Sequence, residues 1–295
     1  MTEAEKGRTR TANMPMTKRT GTADTHGRKG KEMKVSEAAE IAEKQTRRNV
    51  AICSLVGSRN YNLHTESSDH DFIVFAMPTL DDMYERNEYL KEIKGDGYEI
   101  RVHDLRKLPD LLCKSNPSYV EIIFSRNNIM NGDMYSLLYD NRERIAGMNL
   151  PYIYASSVGM FLNRMKYLEK GTGNTQHLVD MHGYDTKQAM QAYRILSVLR
   201  WFADHRSFEK AIRYDDNGEG KEKRELLMDI RNGKFPLTEM RRMLDDYLRD
   251  TEDRYKKRYL DTAPDKEMMA AIRDGVKGFI LSETKKEVCR AQREG

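Results

Sequence analysis

The stretch from Ala51 to Ala76 constrains this chain most. The apolar run Ala51-Ile52-Cys53-Ser54-Leu55-Val56 leads straight into Gly57-Ser58-Arg59-Asn60-Tyr61. Glu66-Ser67-Ser68-Asp69-His70-Asp71 then opens a second apolar run, Phe72-Ile73-Val74-Phe75-Ala76. Short apolar runs bounded by turn residues read as strands, and the first suits a central position buried on both sides. Alternate residues of a strand project to one face, so Asp69 and Asp71 aim together. Hard divalent cations take such oxygen donors. A glycine lets backbone approach a phosphate, and consecutive N–H groups with a serine hydroxyl can cradle its oxygens, which places Gly57 and Ser58 beside whatever the cation carries.

A chain of 295 residues has room for one large or two ordinary domains and a substantial core. A hydrophobic fraction of 38%, a charged fraction of 33% and a net charge of +4 are compatible with nucleotide or nucleic-acid partners without demanding them. No apolar run approaches the ~20 residues that span a bilayer, so no membrane partner is expected. An apolar secretion signal is not seen at the N-terminus. Cys53, Cys113 and Cys289 form no C-x-x-C pair, which points away from a disulfide framework and towards a reducing, cytoplasmic setting.

Residues 1–32 are rich in Lys, Arg, Thr and Gly and are expected to be a disordered basic tail. Such an arm can touch nucleic acid through charge, although a solvated tail is the simpler reading. A mixed α/β domain is expected over 33–130 and a helical domain over 131–295. Within the first, Ser36 is the expected cap of a helix over Val35–Arg48, and 80–94 reads as a short amphipathic helix. Gly95-Asp96-Gly97 is a turn, and Tyr98–His103 alternates as a strand with Glu99, Arg101 and His103 on one face. A helix over 105–115 starts or kinks at Pro109. Beyond about residue 130 the pattern is helical throughout, with Ile195, Leu196, Val198, Leu199 and Trp201 marking the central helix.

Two magnesium ions about 3.5–4 Å apart can clamp an in-line phosphoryl or nucleotidyl displacement. Asp69 and Asp71 supply two carboxylates, and strand-borne Glu99 is the best third. Arg59 is expected to pair with a phosphate or carboxylate within the loop. His64, His70 and His103 lie near in sequence, but their spacing matches no zinc pattern. No G-x-x-x-x-G-K-[ST] loop and no G-x-G-x-x-G after a strand is present.

Gly57-Ser58 followed by Asp69-x-Asp71 resembles the signature of the DNA polymerase beta-type nucleotidyltransferase superfamily. The fuller string, Gly57-Ser58-Arg59-x-Tyr61 and Ser68-Asp69-x-Asp71, is similar to its bacterial and phage branch of RNA-ligase-associated, RNA-repair nucleotidyltransferases. Further similar stretches are Asp104-Leu105-Arg106-Lys107 through Lys114-Ser115-Asn116-Pro117 to Glu121 and Ser125; Gly183-Tyr184-Asp185-x-Lys187 with Arg194; and Leu226-Leu227-x-x-Ile230-Arg231-x-Gly233-Lys234. The resemblance implies a palm-like α/β (α+β) catalytic domain with a C-terminal all-helical domain. It implies transfer of NMP from an NTP such as ATP to a hydroxyl, an RNA 3′ end first, using Mg2+ or in its place Mn2+. RNA ligase or repair proteins are the implied partners. Asp69 and Asp71 match the paired metal ligands and Glu99 the third acidic position. Lys187 would face the triphosphate and Tyr184 the base or sugar; on their own, these two read as an exposed helix lysine and a packing residue. Asn62 replaces a glycine common after the tyrosine, and asparagine tolerates the left-handed conformation that turn needs. Transfer to a protein or small molecule stays open as a second reading. A silent nucleotide- or RNA-binding module is a third, against which intact Asp69 and Asp71 argue.

Overall fold

Helix α1 (Val35–Thr46) opens two residues earlier than a Ser36 cap would have it. Lys34 takes the cap position, its N–H donating to the Glu37 carboxylate at 3.2 Å. Arg47 closes the helix in the left-handed region at φ 55° and turns the chain into β1 (Val50–Val56). The computed structural model describes residues 32–215 and 217–294, and the residues from Glu32 onward gather into one unit. Apart from Glu32, the expected basic tail lies outside the described residues.

A single short helix, α2 (Gly57–Tyr61), follows β1 and ends at Asn62, whose φ of 63° is the left-handed backbone foreseen for it. Strand β2 (His70–Ala76) leads to α3 (Leu80–Tyr84), where Thr79 Oγ1 accepts from the Asp82 N–H at 3.1 Å and the Asp82 carboxylate accepts from the Thr79 N–H at 2.9 Å. This reciprocal cap fixes the helix start. The helix does not run on to residue 94. Residues Leu90–Gly95 are strand β3, an edge strand that buries Ile93 alone, so its charges mimic an amphipathic helix. Strand β4 (Tyr98–Asp104) follows. Among the described residues the strands form one mixed sheet in the order β3-β4-β2-β1-β5, where β5 (Asn128–Met130) is too short to show a periodicity. Strand β1 is antiparallel to β2 and β5, β4 is parallel to β2, and β3 is antiparallel to β4.

Alternation along the strands gives the sheet two apolar faces. One, with Cys53, Leu55, Phe72, Val74, Ile100 and Val102, packs beneath α1 through Ala38, Ala39 and Ala42. The other, with Ile52, Ile73 and Phe75, meets α4 (Leu108–Cys113), α5 (Pro117–Val120) and the 3-10 turn Glu121–Phe124. Pro109 sits in the first turn of α4, where its missing N–H costs nothing, so the helix starts there instead of kinking.

The remainder is helical: α6 (Gly132–Leu138), α7 (Arg142–Gly147), α8 (Leu150–Lys166), α9 (Gln176–His182), α10 (Thr186–His205), α11 (Phe208–Ile212), α12 (Gly218–Arg231), α13 (Leu237–Leu260) and α14 (Lys266–Glu294). Helix α10 is central, burying Ala189, Ala192, Leu196 and Leu199 among α8, α11, α12 and α13. One hydrophobic cluster runs without a break from Ile52 and Phe75 through Leu105, Tyr154 and Leu196 to Tyr259 and Ile280. Sheet and helices thus share a core. Among the described residues no helix is long and apolar enough to cross a membrane.

Candidate active site

Parallel pairing of β2 with β4 sets Asp71 directly opposite Glu99. Both lie on the sheet surface that faces the helices, in step with Ile73 and Arg101. Burial raises the Asp71 carboxyl above its usual range, and the charge of Glu99 beside it adds to the rise; Lys187 opposes, Asp69 raises it further and Arg101 opposes. Glu99 is braced by the Arg101 guanidinium at 3.1 Å and the Lys94 ammonium at 3.7 Å. Asp69 falls just before the strand and is exposed; its charge reaches Asp71, but it does not line the cleft. Among the described residues no three His, Cys, Asp or Glu side chains gather closely enough to hold a metal by themselves.

Gly57 connects the two strands' chemistry. Its φ is 72°, and a Cβ there would stand 2.4 Å from Asp71 Oδ2. A side chain would therefore be strained in backbone and would displace the carboxylate. Ser58 is half-buried in the first turn of α2, its carbonyl accepting from the N–H groups of Asn62 and Leu63, and it does not line the cleft. Arg59 directs Nε and Nη2 to the Ser68 carbonyl at 3.1 and 2.7 Å. Its partner is thus a backbone oxygen rather than a carboxylate, and it braces the loop that carries Asp69.

A cleft of about 440 Å³ separates Gly57, Asp71 and Glu99 from a helical wall made by Met160 and Arg164 of α8 and Lys187, Gln188, Gln191 and Arg194 of α10. Its buried floor is a three-residue contact. Arg194 Nη1 lies 3.0 Å from Glu121 Oε1, the Tyr61 hydroxyl donates to Glu121 Oε2, and the guanidinium stacks 4.0 Å over the Tyr61 ring. Burial works against the Arg194 cation, yet the Glu121 charge keeps its pKa above the ordinary value. This floor fastens the end of α2 to α10.

The helical residues divide. Lys187 is exposed and lines the cleft, whereas Tyr184 is fully buried, donates its hydroxyl to the Phe235 carbonyl at 2.9 Å and does not line it. Arg164, Gln188 and Gln191 were not singled out from the sequence. Lys187, Gln191 and Arg194 recur at helical spacing along α10, and that polar stripe is the sequence signal for the wall.

Strand, glycine turn, carboxylate pair and an opposing cationic helix wall define the polymerase beta-type nucleotidyltransferase class. Residues 32–272 match the model of the RNA repair pathway DNA polymerase beta family, and the chain belongs to that family. No curated protein matches it.

Proposed function

We propose that this protein transfers a nucleoside monophosphate from an NTP to a hydroxyl, the 3′ end of an RNA, and that it does so with magnesium alongside an RNA ligase. The observation that carries the reading is the Asp71–Glu99 pair facing Arg164 and Lys187 across one cleft. Two close carboxylates, one of them with a raised pKa, are an excess of negative charge that a divalent cation would relieve. Their oxygens suit magnesium, which takes one or two carboxylates and completes its shell with water and substrate phosphates. Asp71 and Glu99 would hold it, with Asp69 at the edge. When bound, the ion would polarise the α-phosphoryl group and lower the pKa of a bound hydroxyl.

The chain's own groups do the remainder. The acceptor oxygen forms a bond to the α-phosphorus while the bond to the bridging α–β oxygen breaks, and pyrophosphate leaves. Glu99, tethered by Arg101 and Lys94, is positioned to take the hydroxyl proton. Gly57 leaves the phosphate room beside Asp71. Lys187 and its neighbours balance the charge that moves onto pyrophosphate.

The test uses each NTP with magnesium and RNAs ending in a 3′ hydroxyl or a 3′ phosphate. Extension of the hydroxyl-ended RNA with matching pyrophosphate release, lost in Asp71→Asn, is expected. Label carried only by protein or by a small molecule would replace the RNA acceptor, and nucleotide binding without any transfer would remove the activity.

A further inference from the structure

A second cavity, of about 280 Å³, is lined by α10, α11 and the start of α12 and shares no lining residue with the cleft. Trp201, the single tryptophan of the sequence, borders it two helical turns beyond Arg194 on the same face of α10. Lys223 Nζ stands 3.8 Å from the centre of the Trp201 ring and donates to the Lys210 carbonyl at 3.2 Å. This ammonium is half-buried, and among the described residues no carboxylate lies within ion-pairing distance of it. Burial lowers its pKa to about 8, with Glu219 and Asp215 only partly opposing. A desolvated cation without a counter-ion is costly, and an arriving anion removes that cost.

Arg213 lines the same cavity with a side chain only 8% exposed. Its Nη1 donates to the Asn60 carbonyl at 3.3 Å and its Nη2 to the Phe124 carbonyl, while Nε is buried without a partner. Two of the three acids here are spent. Glu209 pairs with Arg142 at 3.2 Å and with Arg213 at 3.7 Å, and Asp215 with Arg126 at 3.4 Å. Glu219 is exposed in the first turn of α12, and exposed Lys210 offsets it. That first turn is not capped by the Asn217 side chain, and Gly220 lets it come close, since a Cβ there would stand 2.7 Å from the Asp215 nitrogen. Helix start, buried guanidinium and ammonium can only donate, and they suit a compact anion with several oxygens.

We infer that this cavity is a second phosphate site, separate from the cleft, which seats one phosphate group among Lys223, Arg213 and the start of α12, whether a polynucleotide strand or a free nucleotide carries it. That such a strand is the RNA acceptor rests on the function proposed above; the site itself does not.

Because Trp201 is the sole tryptophan, its fluorescence reports on this cavity. The full chain is titrated with inorganic phosphate, a nucleoside monophosphate, the matching uncharged nucleoside, acetate and a single-stranded RNA. A saturable change in emission is expected with phosphate-bearing ligands and not with the nucleoside. Saturation by phosphate or the monophosphate assigns a free ligand, and saturation by RNA alone assigns a strand. Arg213 also fastens α2, so Lys223 is the residue to replace. Lys223→Met should weaken binding, measured by calorimetry, about tenfold or more, the worth of a charged hydrogen bond. Lys223→Arg should recover part of the loss, and Lys187→Gln, in the cleft, should leave the Trp201 response in place. A Lys223→Met variant with a native melting curve and unchanged affinity overturns the site. So does an equal response to acetate, no saturable response at all, or loss of the response in Lys187→Gln. Phosphate held through Lys223 without any nucleotidyl transfer would keep the site and discard the nucleotidyltransferase reading. Transfer without phosphate binding at Lys223 would do the reverse.

Discussion

Asp71 and Glu99 occupy facing positions on neighbouring parallel strands, one strand spacing of about 4.8 Å apart, on the same side of the sheet. Replacing either changes charge without changing shape. Asp71→Asn should cut nucleotidyl transfer by at least about a hundredfold, the usual scale for one electrostatic group at a reacting centre. Glu99→Gln should lower kcat by a larger factor than it weakens NTP binding, because Glu99 meets the acceptor hydroxyl as well as helping to hold the ion. Single-turnover transfer and NTP titration separate the two.

Gly57 tolerates no side chain. Gly57→Ala would add left-handed strain of about 1–2 kcal/mol and push its Cβ into the Asp71 carboxylate. Transfer should fall as far as in Asp71→Asn, with a fall of a few degrees in Tm. A Gly57→Ala enzyme of near-normal kcat would show that the turn does not govern the carboxylate.

The Glu121–Arg194 pair is buried on both sides, with side-chain exposures of 3% and 7%. Removing one partner leaves a stranded charge, so Arg194→Met should cost about 3–5 kcal/mol in urea unfolding. Arg194→Met combined with Glu121→Leu should recover most of that. A double-variant loss equal to the sum of the two single losses would mean that the pair is not coupled.

His103 lies between Phe75 and Tyr119, its Nε2 without a partner, and burial lowers its pKa to about 4. The unfolded chain binds its proton near pH 6.5 and the folded chain only near 4, so stability is full above about 6.5 and declines as pH falls between those values, by on the order of 3 kcal/mol at pH 4. His103→Phe should flatten that part of the stability–pH curve. An unchanged slope would assign the acid sensitivity to other groups.

Much of this site was legible because it is local. Two apolar runs with a Gly-Ser turn between them announce β1 and β2, and the alternation of Tyr98–His103 puts Glu99 on the Arg101 face before its partner strand is known. Strand β3 was not legible, since one buried residue, Ile93, leaves too little pattern to separate strand from helix. The helical wall depends on contacts far apart in sequence. Residue type alone reads Tyr184 as packing and Lys187, three residues later, as exposed, but nothing local shows that Lys187 turns into the cleft. Arg164 joins that wall only in three dimensions.

The unbroken cluster from Ile52 to Ile280 has a consequence for how substrates are sorted. Domains that swing apart do so across thin, polar seams. Here a hinge would have to tear an apolar core and the Glu121–Arg194 floor together. The gap between carboxylates and helical wall is therefore set at folding, like the jaws of a fixed gauge. Such a cleft selects by what fits the gap as it stands, without closing around its occupant.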